Sequence, residues 1–413
     1  MARRSRDPGK FDICANPVFI IGSPRSGTTA LAAALGKHSQ LWSSRESDFL
    51  YYLFEAHHAE HAFERTEARP DMGWIHAEGV DRAEFLEYVG LGLNALFTSR
   101  SGGTRWVDQT PLYTMIVESL AELFPGSSFV HMLRDGRRVV HSMLHFLRAP
   151  GLTSPLSKDF VGSWTSDFRI ACRTWRDYVE RAEQFRASNG TRCVTVVNED
   201  LLRDPSKGFR RIFELIGVPY EDAPGEFLTT HRINSSFVDD YSGRLRGPEV
   251  ESPWDQWTLE QRLIFLEEAG QTFAKMPFAP EGDFTLAGGN NNPEIVLAGM
   301  RQAVDAVVPR DAELLVVSKG DDDLIHLDGR RTSHFPRTAE GYYAGQDPAD
   351  SADAITQLDA ARKQGATFFL IPAHAYWWLD YYTELRAHLA SRYARIWCDA
   401  ACILYDLRLE EPR

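Results

Sequence analysis

The sequence has no apolar run near the roughly 20 residues that span a bilayer, so no transmembrane segment is expected. Its basic N-terminus, MARRSRDPGK, lacks the apolar stretch of a signal peptide. Cysteine is scarce. Cys14, Cys172, Cys193, Cys398 and Cys402 are odd in number and show no clear metal-site spacing, which points to a reduced, cytoplasmic setting. Basic charge is in deficit: 45 Lys and Arg face 58 Asp and Glu, a net charge of −13. That balance argues against non-specific nucleic-acid binding but leaves room for a local basic pocket that takes a small anion. Internal repeats are also absent. What remains is an ordinary globular composition, 43% hydrophobic and 25% charged, spread over 413 residues, a length that calls for two domains.

Residues 1–15 read as a loose basic tail. From 16 to 285, strand-like apolar runs alternate with helical patterns. PVFIIG (17–22), RWVDQ (105–109), SFVHMLR (128–134) and CVTVVNEDL (193–201) are the strands. PLYTMIVESLAELFP (111–125) and FRIACRTWRDYVERAEQFRAS (168–188) are helices between them. Alternation of this kind predicts a parallel sheet covered by helices, with ligands at the carboxyl ends of the strands. The Gly/Asn run at 286–293 reads as a linker. A smaller α/β unit follows over 294–413, with a helix near 294–308 and a strand at 313–318. Next come a helix over 351–365 capped by Asp350, a strand at 367–372, an aromatic-rich helix from about Tyr376 and a final pair around 395–407.

The chemistry concentrates in two segments. In PVFIIGSPRSGTTALAAALGKH (17–38), a strand meets a Gly/Ser/Pro turn and an Ala/Leu-rich helix follows. Ser23, Ser26, Gly27, Thr28 and Thr29 can offer backbone N–H groups and hydroxyls to a phosphate at a helix N-terminus. The spacing mimics a Walker A loop, yet Thr28 stands where that loop needs lysine. Arg25 supplies a fixed cation at the loop tip. In FVHMLRDGRRVVHSML (129–144), Arg134 follows a strand and Ser142 lies two helical turns further on, so both can converge on a second phosphate. A surface Arg134 paired with Asp135 is the bland alternative.

Together these segments resemble the sulfotransferase superfamily that uses 3′-phosphoadenosine 5′-phosphosulfate (PAPS). GSPRSGTT is similar to its 5′-phosphosulfate loop, and Arg134 and Ser142 match the arginine and serine of its 3′-phosphate motif. WVDQTPLY (106–113) and VVNEDLLRDPSKGFRRIFELIGVPYED (196–222) resemble later segments of the family. The resemblance covers about 17–278 and is closest to the branch of tyrosylprotein sulfotransferases and bacterial homologues. It implies a P-loop-type three-layer α/β fold, PAPS as sulfate donor, adenosine 3′,5′-bisphosphate (PAP) as product, and no metal. It also answers the missing lysine: PAPS has no β- or γ-phosphate for that lysine to reach, and it needs two anion sites instead.

By the same resemblance Glu46, 17 residues past Thr29, is the base for the acceptor hydroxyl, with Asp48 the nearest substitute. Two positions depart from the family. Gln109 stands where a lysine helps stabilise the sulfuryl group, leaving Arg25 as the main cation, and Asn198 replaces a tyrosine. Arg244 and Arg246 in SGRLRGPE (242–249) match a late basic loop that closes over the 3′ phosphate or adenine; a solvated loop is the equal alternative. His131, His141 and His145 read as structural, and Trp254, Trp257, Trp377 and Trp378 as packing or acceptor-platform residues. The C-terminal unit carries no assembled catalytic set. Its segments 318–336 and 374–382 mix charge with aromatics, a composition suited to sugars, while a dimerisation or packing module fits equally. The expected activity is sulfuryl transfer to a small-molecule or glycan hydroxyl. A PAP-binding scaffold without catalysis and a P-loop kinase are the alternatives.

Overall fold

The computed structural model describes residues 12–68, 73–146, 163–231, 253–278, 286, 292–327, 329–338 and 340–408. Contacts divide the chain into two compact units, Met1–Pro253 and Trp254–Arg413.

The N-terminal unit is built on β1 (Val18–Ile21), β2 (Leu41–Ser43), β3 (Arg105–Gln109), β4 (Ser128–Leu133) and β5 (Cys193–Val197). The sheet order is β2-β3-β1-β4-β5, and every pairing is parallel. All four residues of β1 are buried, because helices cover both faces. Side chains alternate across the strand. Phe19 and Ile21 therefore join Trp106, Tyr113 and Phe129 in one core, while Val18 and Ile20 join Leu31, Val107 and Val130 in the other. This is the expected three-layer α/β arrangement. Three helices frame the site: α1 (Thr28–Leu35), α2 (Gly136–Leu144) and α3 (Phe168–Ser188).

Local boundaries moved. β5 ends at Val197, and NEDLLR (198–203) turns helical at once. The stretch from Pro111 opens as a 3-10 turn, Pro111–Ile116, before becoming α-helical over Val117–Leu123. The edge strand β2 has only three residues, too few to show a period.

The C-terminal unit starts before the 286–293 linker read from composition. Its first long helix is α4 (Leu259–Ala274). Phe265 of that helix packs edge-on to Phe273, while Trp257 leans on Phe265 at 5.3 Å between ring centroids. Glu267 forms a buried ion pair with Arg395. A buried charge that finds its partner at Arg395 decides where the helix belongs. The unit's sheet comprises β6 (Glu313–Val317), β7 (Arg331–Phe335), β8 (Phe368–Pro372), β9 (Ala394–Cys398) and β10 (Cys402–Asp406), in the order β7-β6-β8-β10-β9. β7, β6 and β8 are parallel, and the β9–β10 hairpin closes the sheet antiparallel. Helix α5 (Ser351–Lys363) is capped as the sequence predicts, Asp350 Oδ1 accepting from the Asp353 N–H at 2.8 Å. All five cysteines are free thiols. Among the described residues no helix is long and apolar enough to cross a membrane.

Candidate active site

The loop after β1 is held from three sides. Gly22 has φ +147, and a Cβ there would lie 2.5 Å from the Met132 carbonyl oxygen, so only glycine fits against the neighbouring strand. Its N–H donates to Thr114 Oγ1 at 2.8 Å, and the Thr114 hydroxyl is 3.2 Å from the Gly22 carbonyl. Arg25 takes φ +69, a strained value for a side-chain-bearing residue and common where function demands it. Gly27, at φ +105, opens α1, and the Asn198 amide donates to the Ser26 carbonyl at 3.0 Å. Ser23, Ser26 and Thr28 are buried, and Ser26 Oγ has no hydrogen-bond partner. A buried, unanswered hydroxyl at a helix N-terminus suits an oxyanion.

Gly27 yields a direct prediction. A methyl group there would sit 2.3 Å from Asn198 Nδ2. Gly27→Ala should cost about 1–3 kcal/mol in strain and weaken phosphate-ligand affinity, read by thermal unfolding and calorimetry. Unchanged affinity would remove Gly27 from the cradle.

The residues read as a second anion position assemble beside this loop. Arg134 leaves β4 and donates through Nη1 to the Arg25 carbonyl at 2.8 Å, while Arg25 Nε donates to Ser142 Oγ at 3.3 Å. The Arg25 guanidinium also lies 4.5 Å from the centre of the Phe146 ring. Asp135 is clamped by Arg137, Nη2 to Oδ2 at 2.8 Å, and its Oδ1 caps α2. The pairing of Arg134 with Asp135 considered above gives way to this clamp. Gly136 lets α2 approach α3, since a Cβ would press within 2.7 Å of the Trp175 ring. Trp175 in turn donates to the Arg134 carbonyl at 3.2 Å.

A further cluster gathers Glu46, Thr29 and Gln109. Thr29 Oγ1 lies 3.5 Å from both Glu46 Oε1 and Gln109 Oε1, and Gln109 Nε2 lies 3.5 Å from Glu46 Oε1. These are long contacts, of the kind that tighten when substrate arrives. Glu46 as a residue is open to solvent, but its carboxyl is crowded. Burial, with the charges of Asp48 and Asp108 adding to it, pushes its pKa up to about 7, against weaker opposing hydrogen bonds from Gln109 and Thr29. Asp108 is raised to about 6, again by burial first. It accepts from Ser47 Oγ at 2.6 Å, and Ser47 N donates to Thr110 Oγ1 at 3.2 Å, so the segment carrying Glu46 is anchored to the end of β3.

The structure thus joins Arg25, Arg134 and Ser142 in one cluster and Glu46, Thr29 and Gln109 in another, both at the carboxyl ends of the central strands. Arg244 and Arg246 lie outside the described residues. Sequence reasoning missed Ser47, Asp108 and Thr114 as supports, and it counted Asn198 only as a departure. The signal for Asn198 was its position directly after β5. Glu199 beside it accepts from the Asp135 N–H at 3.3 Å. His131 is fully buried against Glu183 at 3.1 Å. The His141 and His145 rings lie 4.3 Å apart, tilted by 35°, and burial lowers His141 to about 4.

Residues 17–222 match the model of the sulfotransferase family. By this segment the chain belongs to that family. The protein-tyrosine sulfotransferase of Drosophila melanogaster is 28% identical over 207 residues, which cover 50% of this chain and 39% of that protein. A putative protein-tyrosine sulfotransferase of Caenorhabditis briggsae is 24% identical over 224 residues, covering 54% of this chain and 71% of its own length. The chain therefore spans well under half of the Drosophila relative. Among solved structures, a mouse sulfotransferase complexed with PAP aligns at 15% identity with a TM-score of 0.38, over 65% of this chain and 91% of that one.

Proposed function

We propose that the chain transfers a sulfuryl group from PAPS to the hydroxyl of a carbohydrate. The observation that carries this reading is the convergence of two anion positions, the 22–29 loop and the Arg134–Ser142 pair, with a carboxylate of pKa near 7 beside them. The unpartnered Ser26 hydroxyl and the cations Arg25 and Arg134 fit a ligand with separate 5′ and 3′ anionic groups. When bound, PAPS supplies the sulfuryl group and a stable leaving phosphate.

The residues then divide the work. The loop N–H groups and Ser26 hold the 5′ end, while Arg134 and Ser142 hold the 3′ phosphate. Glu46 takes the acceptor proton as the new O–S bond forms, and the bond from sulfur to the 5′-phosphate oxygen breaks with its electron pair left on PAP. Arg25 offsets the charge developing on that oxygen. Gln109 and Thr29 orient the Glu46 carboxyl. A tyrosine hydroxyl, the acceptor in the relatives' names, is the second reading, supported by their sequence identity. Radiolabelled PAPS offered with a glycan panel and a tyrosine-peptide panel separates the two: transfer to peptides alone would overturn the carbohydrate reading, and transfer to neither would overturn the function.

Arg134 tests the nucleotide orientation. Arg134→Ala removes a charge-assisted contact of roughly 1.5–3 kcal/mol. PAP should bind about 10- to 100-fold more weakly by calorimetry, and 5′-AMP should change less. Equal losses would assign Arg134 to support of the Arg25 carbonyl instead.

A further inference from the structure

The two charged, aromatic segments of the C-terminal unit, far apart in sequence, meet at one end of its sheet. Ser318 to Asp322 follow β6, His334 lies near the end of β7, and His374 and Trp377 follow β8. These strands are parallel in the order β7-β6-β8. The chain passes from β6 to β7 on one side, then crosses over to β8 on the other. In open α/β sheets such a reversal leaves a crevice at the carboxyl ends, and ligands bind there.

The side chains at this reversal form a connected set. Lys319 Nζ stands 4.4 Å from the centre of the Trp377 ring. Ser318 Oγ is 2.6 Å from His334 Nδ1, and His334 Nε2 is 3.2 Å from Asp322 Oδ1. The loop that carries Lys319 is tight and strained. Lys319 has φ +51, Gly320 has φ +82, and the Asp321 N–H closes the turn onto the Ser318 carbonyl at 3.0 Å. A Cβ on Gly320 would lie 2.9 Å from the Tyr343 ring, which itself faces His334 at 6.1 Å. Desolvation, with the Asp321 charge opposing it, holds the His374 imidazole below its usual pKa.

The chemistry of the set selects a ligand class. Ser318 is only 1% exposed, so the Ser318–His334–Asp322 chain orients Asp322 and does not present a nucleophile. One lysine stands against Asp321, Asp322 and Asp323, a local balance that repels phosphate and sulfate. Exposed carboxylates accept hydroxyl hydrogens, an ammonium donates to hydroxyl oxygens, and an indole offers an apolar face to ring C–H groups. A pyranose ring carries all three complements. We propose that the carboxyl end of the C-terminal sheet is a saccharide-binding site, with Trp377 as its stacking surface and Lys319, Asp321 and Asp322 as hydroxyl partners. The site stands independently of the transfer chemistry in the N-terminal unit.

The test uses the full chain and saturation-transfer NMR with glucose, N-acetylglucosamine and glucuronate, each as monosaccharide and as linear tetrasaccharide. At least one should receive saturation at its ring C–H protons. Trp377→Ala should weaken that binding about tenfold, as loss of a stacking contact implies, and Asp321→Asn should weaken it several-fold. PAP affinity should be unchanged in both variants, which separates this site from the nucleotide site. Tighter binding of the tetrasaccharide supports a glycan chain as the occupant, and equal binding supports a single terminal sugar. Should Trp377→Ala unfold the unit, the exposed Asp321→Asn change decides. The proposal is overturned if no saccharide binds, if neither variant alters binding, or if inorganic phosphate displaces the sugar.

Discussion

Glu46→Gln should lower sulfate transfer by roughly 10²–10⁴ while leaving PAP affinity nearly intact. The amide keeps the shape of the side chain and its contacts with Thr29 and Gln109, so only the proton-accepting function goes. The pH profile gives a second reading. Burial and the Asp48 and Asp108 charges raise Glu46 to about 7, and a base works only when deprotonated. In the parent, kcat/KM should therefore rise about tenfold per pH unit below 7 and level off above it. That limb should vanish in Glu46→Gln. Transfer at the parental rate would clear Glu46 of the role and pass it to Asp48, whose Oδ1 is buried without a partner.

The second large effect belongs to Arg25. Removing one preorganised electrostatic donor costs about 10²–10³ in rate. No lysine stands in the WVDQTP segment to compensate, because position 109 holds a neutral amide. Arg25→Ala should therefore fall within that range in single-turnover transfer. Gln109→Lys is the informative partner. Gln109 is buried at the end of β3, within 3.5 Å of Glu46, while Arg25 approaches from the Ser142 side. A lysine at 109 should restore part of the Arg25→Ala loss if both positions face the transferred group. It should also move the Glu46 limb below pH 7, since a nearby cation favours the carboxylate. A strictly additive double variant would show that the two positions do not share the sulfuryl group. A shifted limb without rescue would place Gln109 beside the base alone.

Several features of the molecule are local, and the chain order carries them. The strand–turn–helix at 17–38 is legible because glycine, serine and an apolar run follow one another directly, and the backbone conformation they permit needs no distant partner. The parallel sheet follows from alternation, and the Asp350 cap from a single residue at a helix start. Arg134 and Ser142 could be paired on paper because both sit on one strand–helix unit.

Other features depend on residues that only folding brings near. Asn198 reaches the Ser26 carbonyl across 172 positions, so a residue read as a deviation turns out to brace the loop. Glu46 becomes a group that titrates near neutrality chiefly because folding buries its carboxyl; the Asp48 charge is near in sequence, but the burial and the added charge of Asp108 at the end of β3 are in no sequence window around it. The helix at 259–274 looked like the tail of the first domain until its buried Glu267 found Arg395, 128 residues on. The same holds for 318–322 and 374–377, which share one end of a sheet because β6 lies between β7 and β8. Residue types and local backbone preferences are properties of the chain, whereas desolvation and charge proximity are properties of the packed interior. The motifs could be read directly for that reason, and the working state of each site residue had to wait for the tertiary structure.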